Sequence, residues 1–206
     1  MKRKIKLKGF TLIELVMCIS IMVLMSSVMF YDYPDSNVRI NLANLTSRIS
    51  LLLREAQIRG SAVDSGTLSV ISGYGLYFDK VTNPSQVVLF NDFADSHMVN
   101  GIMVGDEAYN PATEINTTIN FASGFKIKQL CTGNGFPTVA SDCINDTLTV
   151  SFTRPSPSAH FYPATNFTKS GACIELVSPR APKAGHTRSV QVFNSGRIIT
   201  SNNGCS

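Results

Sequence analysis

Glu14 is the one carboxylate in an otherwise apolar run from Phe10 to Tyr31. A charge inside such a run costs a few kcal/mol unless a partner neutralises it, so Glu14 calls for a cation or donors within reach. Cys131, Cys143, Cys173 and Cys205 lie in the second half, apart from Cys18 in the apolar run. None has the close C-x-x-C spacing of a zinc or redox site. An even number in an exported domain suggests disulfides, and the four admit three pairings. Sequence proximity favours Cys131 with Cys143 and Cys173 with Cys205. Arg180, Lys183, Arg188 and Arg197 concentrate near the C-terminus, where they could meet phosphates through salt-sensitive, sequence-blind contacts.

Other chemistry has little to stand on. His97, His160 and His186 are far apart, with neither H-x-x-x-H nor H-x-E spacing, so no metal site is expected. There is no G-x-S-x-G elbow, P-loop or dinucleotide fingerprint. Gly73-x-Gly75 and Gly133-x-Gly135 read as strand-edge and loop glycines, and Asp106-Glu107 as part of a turn. The sequence is therefore read as a non-enzyme that uses no cofactor.

The positioning elements follow from composition and period. The chain has 206 residues, enough for one compact domain plus an anchor. Its net charge of +4 is misleading, because Lys2, Arg3, Lys4, Lys6 and Lys8 crowd the first nine residues; without those five charges the balance is −1. Residues 60–150 hold three basic and nine acidic side chains, whereas residues 154–206 hold six basic and one acidic.

A basic start followed by about 20 apolar residues reads as a membrane-crossing helix, cytoplasmic at its beginning and external afterwards, with Tyr31 and Tyr33 at the outer interface. A secretory signal ending near Met25-Ser26-Ser27, a lipoprotein signal at Cys18 and an ordinary anchor compete with this, and the last leaves Glu14 unexplained. Pro34 is expected to end or kink the helix. Val38, Leu42, Leu45, Ile49, Leu52, Leu53 and Ala56 then recur at helical spacing up to a stop at Gly60.

Beyond Gly60 the period changes to short β-rich runs. Strands are expected near Leu68–Ile71, Tyr74–Phe78, Gln86–Phe90, Thr117–Phe121, Phe125–Gln129, Thr147–Phe152, Ala172–Leu176, Ser189–Phe193 and Arg197–Thr200, with a hairpin turn at Asn194-Ser195-Gly196. Arg154 to Ser170 is expected to be irregular. The expected fold is α+β, a long N-terminal helix with a transmembrane half and an amphipathic half packed on an antiparallel β-sheet head, lollipop-shaped. Its divisions are 1–9, 10–33, 34–60 and 61–206.

Lys8-Gly9-Phe10-Thr11-Leu12-Ile13-Glu14-Leu15-Val16 resembles the processing signal of type IV pilins and pseudopilins. The resemblance implies that prepilin peptidase cleaves after Gly9 and methylates the new N-terminus at Phe10. It further implies that Glu14 sets register during assembly by neutralising the N-terminus of an adjacent subunit. The implied protein is a single-pass inner-membrane subunit with an external head, joining other pilin subunits in a pilus or pseudopilus. Gly73-Tyr74-Gly75-Leu76-Tyr77-Phe78, Ser151-Phe152-Thr153-Arg154-Pro155 and Val190 to Ile198 resemble minor pseudopilins of the GspH and FimT type, implying an assembly-priming role near the filament tip. Some relatives of that type capture DNA through Gly-Arg-x-Arg. Here Gly196-Arg197-Ile198-Ile199 keeps the glycine and first arginine, leaving DNA uptake as the alternative role and Arg180, Lys183, Arg188 and Arg197 as its candidate contacts.

Overall fold

Leucine, isoleucine, methionine and valine make up 22 of the 50 residues 12–61, with no glycine before Gly60, and such a sequence propagates a helix once its first turn is fixed. The computed structural model describes residues 9–62, 71–93, 97–99, 102–104, 108–122, 124–134, 142–143, 146–153, 157–162 and 170–205, with backbone alone at 28–34, 97–99, 102–104 and 115–116. Helix α1 spans Leu12–Ser61. It continues through Pro34, which does not end it. The chain divides into two compact units, Met1–Val38 and Arg39–Ser206.

The transmembrane half does not survive. Among the described residues no helix is long and apolar enough to cross a membrane. Glu14 stands in the first turn of α1, and Ser20, Ser26 and Ser27 interrupt its apolar side chains. The expected fold, with its helix divided into transmembrane and amphipathic halves, is corrected accordingly, and the single-pass inner-membrane placement loses its basis.

In the second unit, Leu42, Thr46, Ile49, Leu53, Ala56 and Gly60 form one buried stripe at steps of three and four residues. Gly60 lies inside the last turn, and a Cβ there would strike the Phe152 carbonyl oxygen. Its role is thus close approach of helix to strand rather than the expected stop.

Among the described residues eleven strands follow: β1 (Ile71–Asp79), β2 (Gln86–Phe93), β3 (His97–Val99), β4 (Ile102–Val104), β5 (Ile115–Asn120), β6 (Lys126–Gly133), β7 (Thr147–Thr153), β8 (Ala159–Tyr162), β9 (Gly171–Val177), β10 (Thr187–Phe193) and β11 (Ile198–Ser201). They make a five-stranded sheet, β5-β2-β1-β7-β8, a four-stranded sheet, β11-β10-β9-β6, and the pair β3-β4. All described pairings are antiparallel.

Alternation with period two decides the cores. Leu76, Phe78, Val87, Leu89, Leu148, Val150 and Phe152 share one buried face of the larger sheet, and Leu130, Ile174, Leu176, Val190 and Val192 one face of the smaller. On the other face of the larger sheet the Phe90 ring occupies the space a Cβ at Gly75 would need, 2.6 Å away, and Tyr109 lies 5.4 Å from Phe90 and 4.6 Å from Tyr77, centroid to centroid.

Several expectations are revised. β1 runs unbroken through Gly73, the strand expected from Leu68 falls outside the described residues apart from Ile71, and β8 lies inside the stretch expected to be irregular. Asp106, Glu107 and Gly135 fall outside the described residues.

The turn at Asn194-Ser195-Gly196 forms as expected, with Gly196 at φ 80° and its N–H donated to the Phe193 carbonyl (2.8 Å). Gln57 of α1 reaches this turn, its Nε2 donating to the carbonyls of Gly196 (2.9 Å) and Pro157 (3.0 Å). Gln57→Ala strands both acceptors against the helix. It should lower unfolding free energy by about 1–3 kcal/mol, read from the urea midpoint at constant m-value.

Candidate functional site

The N-terminal turn of α1 assembles the first candidate site. Thr11 precedes the helix and Glu14 is its third residue, the T-x-x-E spacing of a capping box. The Thr11 N–H and hydroxyl both donate to Glu14 Oε2 (2.9 and 2.8 Å), and the Glu14 N–H donates to Thr11 Oγ1 (3.3 Å). Both bonds to the carboxylate end on Oε2. The Thr11 N–H first, and its hydroxyl second, hold the Glu14 carboxyl below the usual range against a small opposing effect of desolvation. The carboxylate expected to need a neighbouring subunit's amine is thus already engaged within its own chain.

Because the folded carboxyl titrates below its unfolded value, ionisation favours the capped turn above the unfolded value, and that preference is lost as pH falls through the folded value. Thr11→Val removes the hydroxyl donor and should move the Glu14 midpoint upward, read from its side-chain carboxyl resonance during an acid titration.

Around this turn, every described large apolar side chain from Phe10 to Met25 is between 50% and 82% exposed. Gly9 has nothing within 4 Å of an added Cβ, so the Gly9–Phe10 bond lies in open surroundings.

The basic residues do not form one patch. Arg180 and Lys183 sit in the β9–β10 connection, Arg188 is the second residue of β10, and Arg197 follows the turn at the far end of β10. That strand is seven residues long, roughly 20 Å at 3.4 Å per residue. Arg197 lies over the Phe193 ring, 4.8 Å from its centroid. Two cations the sequence reading overlooked stand nearer the other three: Lys126, the first residue of β6, is paired with Val177 at the end of β9, and the Arg39 guanidinium lies 3.2 Å from where a Gly185 Cβ would stand. Only the tertiary fold places them there.

Both disulfides have the favoured pairing, Cys131–Cys143 and Cys173–Cys205, while Cys18 is free and exposed. Cys131 and Cys173 are directly opposed on β6 and β9, so the four half-cystines form one buried cluster. That face also holds Glu175, 1% exposed, which accepts from Lys128 Nζ (2.7 Å) and the Cys205 N–H (3.1 Å). Ser189 donates to the Asn203 carbonyl (2.8 Å). The segment Asn203 to Cys205 therefore covers a sheet face that would otherwise be wet.

Ser178 Oγ lies 2.7 Å from His186 Nδ1, a pairing of a hydroxyl with an imidazole. Both side chains are buried, and the Ser178 N–H donates to the His186 carbonyl (3.0 Å), so the pair clasps a loop with no approach for a substrate. His160 is opposed to Ser151 on the neighbouring strand, and the His97 side chain lies outside the described residues. Among the described residues no group of three metal-ligating side chains forms. A shallow groove of about 280 Å³ lies beside α1, with Asn44, Leu45 and Arg48 facing Asn120, Phe121 and Phe125 and no carboxylate in its lining.

No protein-family model, curated protein or solved structure matches this chain.

Proposed function

We propose that the chain is a subunit of a pilin-like filament, of the minor, assembly-priming kind, cleaved after Gly9 by prepilin peptidase and methylated at Phe10. The observation that carries this reading is the solvent-exposed apolar helix beginning at Leu12, two residues after Phe10. Burying each of its leucine, isoleucine, valine or methionine side chains is worth about 1.5–3 kcal/mol. Copies of the same helix would cover it when subunits repeat head to tail, the interface type that generates open filaments. The basic leader, Gly9 and the lone Glu14 agree with the processing signal, and two buried disulfides suit an oxidising compartment.

Intact-mass analysis of filaments should find a chain beginning at Phe10 with one added methyl group. Residues 1–9 retained in assembled material would overturn the reading. DNA uptake, the alternative, would have to rest on Arg180, Lys183 and Arg188, with Arg197 a strand length away.

A further inference from the structure

The second half of α1 carries more large apolar side chains than its own core uses. Its inward stripe from Leu42 to Ala56 is buried, yet Ile40, Leu51 and Ile58 are 57%, 64% and 68% exposed. Their separations of 11 and 7 residues place them within about 20° of one line along the helix at 100° per residue. Arg48 and Arg54 stand three residues before and after Leu51, about 60° to either flank. Neither has an ion-pair partner among the described residues. Asn44, Ser47 and Glu55 lie between the three, Glu55 neutralised by Arg59 (2.6 Å), so the strip offers three large apolar side chains and two guanidiniums, which fits an apolar rod bearing one carboxylate.

Residues 10–27 have that composition, with Glu14 as their only charged side chain. The capping box uses Glu14 Oε2 alone, so Oε1 can accept from a guanidinium without uncapping the helix. Such a charge-assisted bond is about twice as strong as a neutral one.

We infer that the strip Ile40-Leu51-Ile58 is the seat for residues 10–27 of a second copy, with Arg48 or Arg54 of one subunit holding Glu14 of the other. This rests on the filament reading and names its partner surface. It also gives Glu14 an intermolecular partner other than an α-amine.

The test uses the assembled full-length chain. With Glu14 level with Leu51, the native Cys18 lies one turn away, so Leu51→Cys should join Cys18 of a second copy through a short bismaleimide, and Cys18→Ala should abolish the adduct. Arg48→Glu with Arg54→Glu should cut the adduct at least tenfold at an unchanged melting temperature, Arg48→Ala with Arg54→Ala should cut it less, and adding Glu14→Lys to the double reversal should restore it. An adduct indifferent to the double reversal overturns the seat. Filaments that form without any adduct overturn the seat and leave the filament reading standing; a chain that never assembles overturns both.

Discussion

Gly60→Val is expected to destabilise the second unit by about 3 kcal/mol or more, at the upper end of what overpacking costs. The new Cβ would collide with the Phe152 carbonyl oxygen, part of the β1–β7 ladder and unable to swing aside as a flexible side chain would. Relief would require the last turn of α1 to lift, breaking the buried stripe at Ala56 and the Gln57 latch onto the Gly196 turn. Since domains are stable by only 5–15 kcal/mol, the change should appear as a large drop in the urea midpoint. Gly60→Ala meets the same oxygen and should follow close behind, whereas a glycine acting only as a helix stop would tolerate alanine.

Removing the Cys173–Cys205 bond by paired Cys→Ser substitution should cost roughly 3–4 kcal/mol in the chain-entropy account for the 32-residue separation it closes. The tail it anchors also supplies the Cys205 N–H to buried Glu175, and burying a carboxylate with fewer donors is costly. The shorter Cys131–Cys143 link, with a separation of 12, should cost about 3 kcal/mol. The check is paired thermal melts of the two double-serine variants, with the larger loss at Cys173 and Cys205. An equal or inverted order would show that the tail contributes less than its hydrogen bonds suggest.

What could be read in advance was what local spacing dictates. The helical period through Leu42, Ile49, Leu53 and Ala56, the Asn-Ser-Gly turn and the preference for near cysteine partners are short-range properties, and the structure carries each, although Thr46 takes the buried place expected of Leu45. Long-range placement was illegible. The basic residues looked like a cluster because they are near in sequence, but β10 separates Arg197 from Arg188 by a strand length, while Arg39, distant in sequence, arrives beside Gly185. Gly60 was assigned a backbone role when its constraint comes from Phe152 of β7, 92 residues on. The capping box was present as Thr11-x-x-Glu14 but overlooked, because the cost of a carboxylate among apolar residues drew attention to distant partners. The membrane-crossing half is the expectation that fails: among the described residues no helix is long and apolar enough to cross a membrane.

The segment Asn203 to Cys205 has no regular secondary structure, yet Glu175 and Ser189 depend on it for donors, acceptors and cover. During synthesis the outer face of the four-stranded sheet must therefore wait, its polar row still hydrated, until those three residues leave the ribosome. A nascent chain stalled just short of Asn203 would present Glu175 to whatever holds it.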